Sequence, residues 1–244
     1  MAFQDGDVVD FDYELWVEGQ DRLYDTTLRE VAEKAGLLQE DAFYAPMTYV
    51  IGSGRIISGL EKALKEAEVG KTKEIDLTAA ESYGERDPKL VETIPLQEFK
   101  KNDVTPQVGL PITYRNRRGT VSTVGGGRVR ADFNHPLAGK GLKYRFTVRR
   151  VAKTDADKVS GLLRMNLPAP AAWKVDVARE DGLKTATVTV PEDVVTRRDW
   201  VVAKLRALMD VRKHTDVEQV KFVEAYRLTT TMTGTPAAVA ERAA

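Results

Sequence analysis

Between Asp7 and Val17 the residues Val9, Phe11, Tyr13, Leu15 and Val17 alternate with mostly acidic positions, and that two-residue period predicts a strand buried on one face. Residues 28–45 read as partly helical from Leu28 to Gly36 and then as a loop ending at Pro46. A second strand is expected from Met47 to Ile51, punctuated by Gly52 and Gly54. Ser58-Gly59-Leu60-Glu61 matches a capping box, with Leu60, Ala63, Leu64 and Ala67 on one apolar face and Gly70 as the stop signal. Lys71 to Thr78 returns as a strand. Leu142, Tyr144, Phe146 and Val148 alternate again much later and extend the same sheet.

The intervening stretch has a different texture. Pro95 to Phe99 predicts a helical turn with proline at its start. Ile112–Arg115 and Thr120–Val124 read as strands around Asn116–Gly119, and Arg128–Phe133 follows Gly125-Gly126-Gly127 as a third. One domain is therefore expected to be split by another. From about Thr154 a third unit begins. It holds a hairpin, Trp173–Arg179 and Leu183–Val190 across Glu180-Asp181-Gly182, where Asp-Gly is a strong turn signal. Pro191–Met209 then reads as a helix with Val201, Leu205, Leu208 and Met209 on its stripe, and Val217–Leu228 as a strand. The expected class is α+β: a curved antiparallel sheet wrapped on a short helix, interrupted by a small β-rich domain and followed by an α/β C-terminal domain. The boundaries are 1–85 with 134–152, then 86–133, 153–232, and a flexible tail at 233–244.

Composition narrows the chemistry. The 244 residues contain no cysteine and two histidines, which removes disulfides, thiol nucleophiles and histidine-rich metal clusters. No cofactor or metal is expected. No apolar run approaches the ~20 residues that span a bilayer, and the N-terminus lacks a signal-peptide pattern, so a cytoplasmic location without membrane partners is expected. Net charge is zero, but residues 1–85 hold 8 basic and 19 acidic side chains and 134–153 hold 6 basic and none acidic. That lobe carries about −5, whereas 86–133 carries 9 basic and 5 acidic residues. No concentrated basic face marks a nucleic-acid partner. Gly125-Gly126-Gly127 is followed by neither a Lys-Ser/Thr pair nor a helix start, which argues against a phosphate loop. His135 precedes Pro136 without a second ligand nearby and reads as structural or hydrogen-bonding.

Four segments in fixed order resemble the FKBP peptidyl-prolyl isomerases, in the SlyD-like branch with a domain inserted in the flap. They are Tyr24-Asp25-Thr26-Thr27, Ile51 to Glu61, Tyr83-Gly84, and Asn134-His135-Pro136-Leu137-Ala138-Gly139-Lys140 with Tyr144. The likeness covers residues 6–152, and a weaker one to the long archaeal-type members covers the remainder. It implies a fold of the class above and an enzyme that speeds rotation about X-Pro bonds. The residues it points to are Tyr13 and Tyr144 as aromatic walls, Tyr24 with Asp25 as the aromatic–aspartate pair, and Ile56 and Ile57 as the aliphatic pair before the helix. Leu60 stands where the best-known members place tryptophan as floor, Tyr83 as hydroxyl donor, Leu137 as the last apolar wall, and Met47 where an aromatic is common. Substrate contacts in the inserted domain are expected from Leu90, Val91, Ile94, Phe99 and Leu110, with Leu96, Val108 and Ile112 as further apolar candidates. Partners implied are unfolded or proline-containing polypeptides, with a homodimer through the C-terminal domain. The metal-binding tail of some relatives has no counterpart, since Thr233–Ala244 holds neither histidine nor cysteine. Two other readings compete: a holdase whose pocket, with Leu60 and Tyr24, has little isomerase activity, and an interaction module built around the C-terminal domain.

Overall fold

The computed structural model describes residues 2–40, 42–168 and 173–226, and the chain divides into two compact units, Met1–Ala152 and Lys153–Ala244. In the first unit β1 (Val8–Val17), β2 (Leu23–Thr26), α1 (Arg29–Lys34), β3 (Met47–Val50), α2 (Ser58–Lys65) and β4 (Thr72–Leu77) precede β5 (Val91–Pro95). Then come α3 (Leu96–Lys100), β6 (Pro111–Tyr114), β7 (Arg117–Gly125), β8 (Arg128–Asp132) and β9 (Leu142–Val151). β1 pairs along one edge with both β2 and β3 and along the other with β9, which carries β4 beyond it; every pairing is antiparallel. Alternation decides the two faces. Val9, Phe11, Leu15 and Val17 of β1 join Leu142, Tyr144, Phe146 and Val148 of β9 in one buried cluster, closed by Leu60, Ala63 and Leu64 of α2. On the other face Asp10 and Asp12 pair with Arg150 and Arg149, both at 2.6 Å. Two successive arginines can serve that face because a bulge between Asp10 and Phe11 shifts the ladder.

The helix start differs from the capping box expected at Ser58. Ile57 is the cap residue, with no side-chain hydrogen bond, and the Ser58 hydroxyl donates instead to the Glu81 carbonyl at 3.3 Å. Glu61 is drawn the other way. Its carboxylate accepts the Tyr49 hydroxyl at 2.6 Å and the Gly52 N–H at 2.8 Å, so it ties the loop before the helix to the buried ring of Tyr49. Burial, then this bond, pushes the Tyr49 pKa up. Losing that acceptor strands a buried hydroxyl, a cost of about 1–3 kcal/mol. Gly59 is needed for close approach, because a Cβ there would lie 2.5 Å from Leu77. Gly70 does not end the helix, which stops at Lys65; its φ of +81° serves the turn into β4.

The inserted segment forms a separate four-stranded sheet, order β5-β8-β7-β6, over a small core of Ile94, Phe99, Val121, Val129 and Ala131. Its β6–β7 turn is shorter than the expected Asn116–Gly119 loop. Arg115 and Asn116 both have positive φ (50° and 62°), the two-residue geometry that matches strand twist, so β7 starts at Arg117. At the crossing points the Asn134 side chain accepts from the Asp87 N–H and donates to the Asp87 carbonyl, each at 2.9 Å, and the Gly139 N–H donates to the Gly84 carbonyl at 2.8 Å.

In the second unit α4 (Asp155–Asn166) leads into β10 (Lys174–Glu180), β11 (Leu183–Thr189), α5 (Glu192–Val195), α6 (Trp200–His214) and β12 (Gln219–Val223). β10 is antiparallel and β12 parallel to β11. The single helix expected over Pro191–Met209 is two helices. Arg197 chelates Asp199 and donates to the Pro168 carbonyl in the break between them. Trp200 then enters the core, 5.5 Å from Trp173 and edge-on to Phe222. That anchor sets the phase of α6: Ala203, Ala207 and Val211 face inward, and Val201, Leu205 and Met209 of the expected stripe are exposed. The strand expected over Val217–Leu228 is confined to Gln219–Val223 within the described residues. The expected tail at 233–244 lies outside the described residues. Among the described residues no helix is long and apolar enough to cross a membrane.

Candidate functional site

Tyr13 projects from β1 beside the apolar cluster, and its hydroxyl donates to the Asp25 carboxylate at 2.7 Å. The two Thr residues after Asp25 fix that geometry. The Thr26 hydroxyl donates to the Tyr13 carbonyl at 2.8 Å, the Thr27 hydroxyl accepts the Tyr13 N–H at 3.0 Å, and Thr27 also donates to Asp12. Tyr13 is thus held at both its backbone and its hydroxyl. Cross-strand pairing of Tyr13 with Phe146 and Leu15 with Tyr144 places the Tyr144 ring 5.8 Å from that of Tyr13, tilted by 54°. Such tilted ring pairs are favoured by their quadrupoles.

Leu60, Leu137 and Tyr144 belong to the buried cluster, and Ile56 and Ile57 pack against it half-exposed, next to the start of α2. Tyr83 stands at the rim. Its ring stacks on His135 with centroids 3.9 Å apart and planes 3° from parallel. The His135 Nδ1 accepts the Leu137 N–H at 3.2 Å, so one imidazole supports both Tyr83 and the turn that carries Leu137. Burial pushes the His135 pKa down, which favours the neutral ring that can accept this bond. Burial also raises the pKa of Tyr13, Tyr83 and Tyr144; the hydrogen bond to Asp25 adds to the first, and nearby acidic groups, Asp25 included, to all three. All three hydroxyls therefore keep their protons. Among the described residues no hydrogen-bond acceptor meets the Tyr83 hydroxyl, which stands beside the stacked His135 ring.

Not every expected residue joins this group. Tyr24 is exposed on β2 but near enough to influence Tyr83. Met47 opens β3 opposite Phe11, is exposed, and is not packed against the apolar cluster. In the inserted segment Ile94 of β5 and Phe99 of α3 are core residues, 1% and 8% exposed, because so small a module has few other side chains to bury. They form the floor of a groove of about 460 Å³ whose open walls are Val104, Leu110, Ile112 and Tyr114. Leu90 and Val91 do not line it; Leu90 ends a short 3₁₀ turn and Val91 pairs with Asp132. His135, expected in a structural or hydrogen-bonding role, accepts a hydrogen bond and stacks on Tyr83; Glu61 was expected only as part of a helix cap, and nothing in the sequence pattern singles out Tyr44. The one usable signal for Thr26 and Thr27 was their place directly after Asp25.

Among the described residues no group of acidic and histidine side chains is arranged to hold a metal. The tyrosines, aliphatic side chains and single carboxylate gathered here offer no nucleophile–base pair.

Comparison with known proteins agrees with this geometry. Residues 1–99 match the FKBP-type peptidyl-prolyl cis-trans isomerase family, residues 92–137 the FKBP26 IF domain, and residues 155–227 the FKBP26 C-terminal domain. A short-type peptidyl-prolyl cis-trans isomerase of Methanocaldococcus jannaschii is 35% identical over 152 residues, 62% of this chain and 96% of the relative. The SlyD isomerases of Helicobacter pylori and Escherichia coli are 32% and 33% identical, covering 53% and 52% of this chain and 73% and 67% of their own lengths. The chain belongs to the FKBP-type peptidyl-prolyl cis-trans isomerases. It is an isomerase of that kind, with the inserted and C-terminal domains of the FKBP26 type.

Proposed function

We propose that the cleft bounded by Tyr13, Ile57, Leu60, Tyr83, Leu137 and Tyr144 turns X-Pro bonds in unfolded or nascent polypeptides without covalent chemistry, and that the inserted domain holds those polypeptides. The barrier to rotation, roughly 18–20 kcal/mol, comes from amide resonance. In the twisted amide that resonance is lost and the carbonyl is less polar. An apolar surround disfavours the planar, more dipolar ground state relative to it, which is selective binding of the transition state. Tyr83 is suited to anchor a client carbonyl, and Asp25 to keep Tyr13 upright as a wall.

The observation that carries this reading is that Tyr13, Ile57, Leu60, Leu137 and Tyr144 share one apolar cluster, with Asp25 bonded to Tyr13 and Tyr83 near enough to act on Tyr13 and Tyr144. Exchange spectroscopy on an Ala-Leu-Pro-Phe-type peptide tests it. The protein is expected to accelerate cis–trans exchange, and Tyr83→Phe to slow the catalysed rate several-fold, about the worth of one hydrogen bond. An unaccelerated peptide would leave only the holding role.

The groove over Ile94 and Phe99 supports the holding role, since its walls are half-exposed apolar surface: Ile112 and Tyr114 on the edge strand β6 and Leu110 just before it. On α6 the exposed Val201, Val202, Leu205 and Met209 form an apolar face of the kind that marks association, and we read it as the contact between two copies.

A further inference from the structure

A recess of about 270 Å³ is lined by Tyr13, Tyr24 and Asp25 and by none of Ile57, Leu60, Tyr83, Leu137 and Tyr144. It is completed by Thr27, Phe43 and Tyr44, among others. Its volume falls below the roughly 300–1,000 Å³ of sites that engulf a whole small molecule, and suits one side chain.

The lining defines which side chain. Four aromatic rings surround it, of which Tyr24 and Phe43 are 44% and 49% exposed. The Tyr44 hydroxyl is committed to its own loop, accepting the Gln39 N–H at 3.1 Å and donating to the Leu37 carbonyl at 3.4 Å. The Thr26 and Thr27 hydroxyls are committed to Tyr13 and Asp12. Asp25 is different. Each of its oxygens accepts one hydrogen bond, from the Tyr13 hydroxyl and the Thr26 N–H, and each can accept another. No cation pairs with it among the described residues, whereas Asp10, Asp12 and Glu14 of β1 each meet an arginine of β9. Ring faces around an unpaired carboxylate, on a lobe with about five surplus negative charges, complement a cation on an aliphatic stem.

We propose that this recess takes the Lys or Arg side chain of a client residue flanking the proline, so that the protein prefers prolyl bonds beside basic residues. The proposal rests on the isomerase reading of the adjoining cleft. A chain with its proline in the cleft passes over the shared wall of Tyr24 and Asp25, and its neighbouring side chain meets the recess. The stem lies along Tyr24 and Phe43, and the cation faces Asp25.

Exchange spectroscopy with the full chain tests this on Ala-Xaa-Pro-Phe and Ala-Ala-Pro-Xaa peptides, where Xaa is Lys, Arg, norleucine, Ala or Glu. At low salt the Lys and Arg peptides of one series are expected to exceed norleucine about five-fold in kcat/KM, with Glu below Ala. The advantage shrinks in about 1 M salt, where screening acts within about 3 Å. Ala42→Lys puts a cation into the recess from its own wall, and should abolish the advantage of Lys over norleucine measured within that variant; Phe43→Ala should reduce it. Equal rates for Lys and norleucine, or an advantage that survives Ala42→Lys, overturn the proposal. A protein that turns over no peptide, Ala included, contradicts the isomerase reading itself and the proposal with it.

Discussion

Excising residues 86–133 and joining the ends by a short linker is expected to leave tetrapeptide isomerisation within about two-fold, while catalysed refolding of a proline-limited protein falls about a hundred-fold. The asymmetry follows from the architecture. The inserted strands form their own sheet over their own core, and none of them pairs with β1, β2, β3, β4 or β9. The ends of the cut lie close, because the Gly139 N–H already bonds the Gly84 carbonyl at 2.8 Å. A short peptide needs only the cleft. A long unfolded client held by the groove presents its prolines at a raised effective concentration, and that gain disappears with the groove. Comparable losses in both assays would mean that the insert shapes the cleft rather than supplying it with clients.

Asp25→Leu is expected to lower kcat/KM on the same peptide about ten-fold, with the denaturation midpoint falling as well. The substitution removes the acceptor of the Tyr13 hydroxyl, a largely buried group that burial and this bond keep protonated. An orphaned hydroxyl costs about 1–3 kcal/mol, and each 1.4 kcal/mol is ten-fold in rate where the loss falls on the transition state. The ring can recover a partner only by leaving its place against Tyr144. Asp25→Asn keeps an acceptor oxygen and should stay within about three-fold of the parent. If Leu and Asn behave alike, the Tyr13–Asp25 bond has no part in the rate. Measuring both variants on Ala-flanked peptides keeps this effect apart from any preference for basic neighbours.

Period-two alternation was enough to read β1 and β9, because each strand buries one face only and Val9, Phe11, Leu15 and Val17 leave no other choice of face. The same logic failed on α6. Val201, Leu205 and Met209 fit a helical stripe as well as any set, but packing is decided by Trp200 as anchor and by the small, buried Ala203 and Ala207, on a helix that neighbours α4. A hydrophobicity count favours the large residues and so selects the wrong face. α4 is not among the expected elements: Val159, Leu162 and Leu163 keep helical spacing but are too few to fix a period alone. Its available signal was the cap, where the Thr154 hydroxyl and the Asp157 carboxylate satisfy each other's backbone N–H groups. β2 and β5 are too short for periodicity to register.

For the site, residue types and their order could be read from the chain, but their mutual contacts could not. The Tyr13–Asp25 bond spans twelve residues and the Tyr83–His135 stack spans the whole insert. Neither leaves a local pattern. Glu61 illustrates the opposite error. Its spacing from Ser58 suggested a cap, whereas the loop at Gly52 and the buried Tyr49 hydroxyl compete for the same carboxylate more strongly, since an unpaired buried hydroxyl costs more than an exposed helix end.

The claim at the centre of this account is that the cleft assists a rotation and moves no proton. Cis–trans exchange of an Ala-Leu-Pro-Phe-type peptide, catalysed by the full chain and measured in H2O and in D2O, tests it most directly. The account predicts a strongly accelerated exchange whose rate is nearly the same in both solvents. An exchange left at the uncatalysed rate of tens to hundreds of seconds, or one slowed several-fold in D2O, would contradict it.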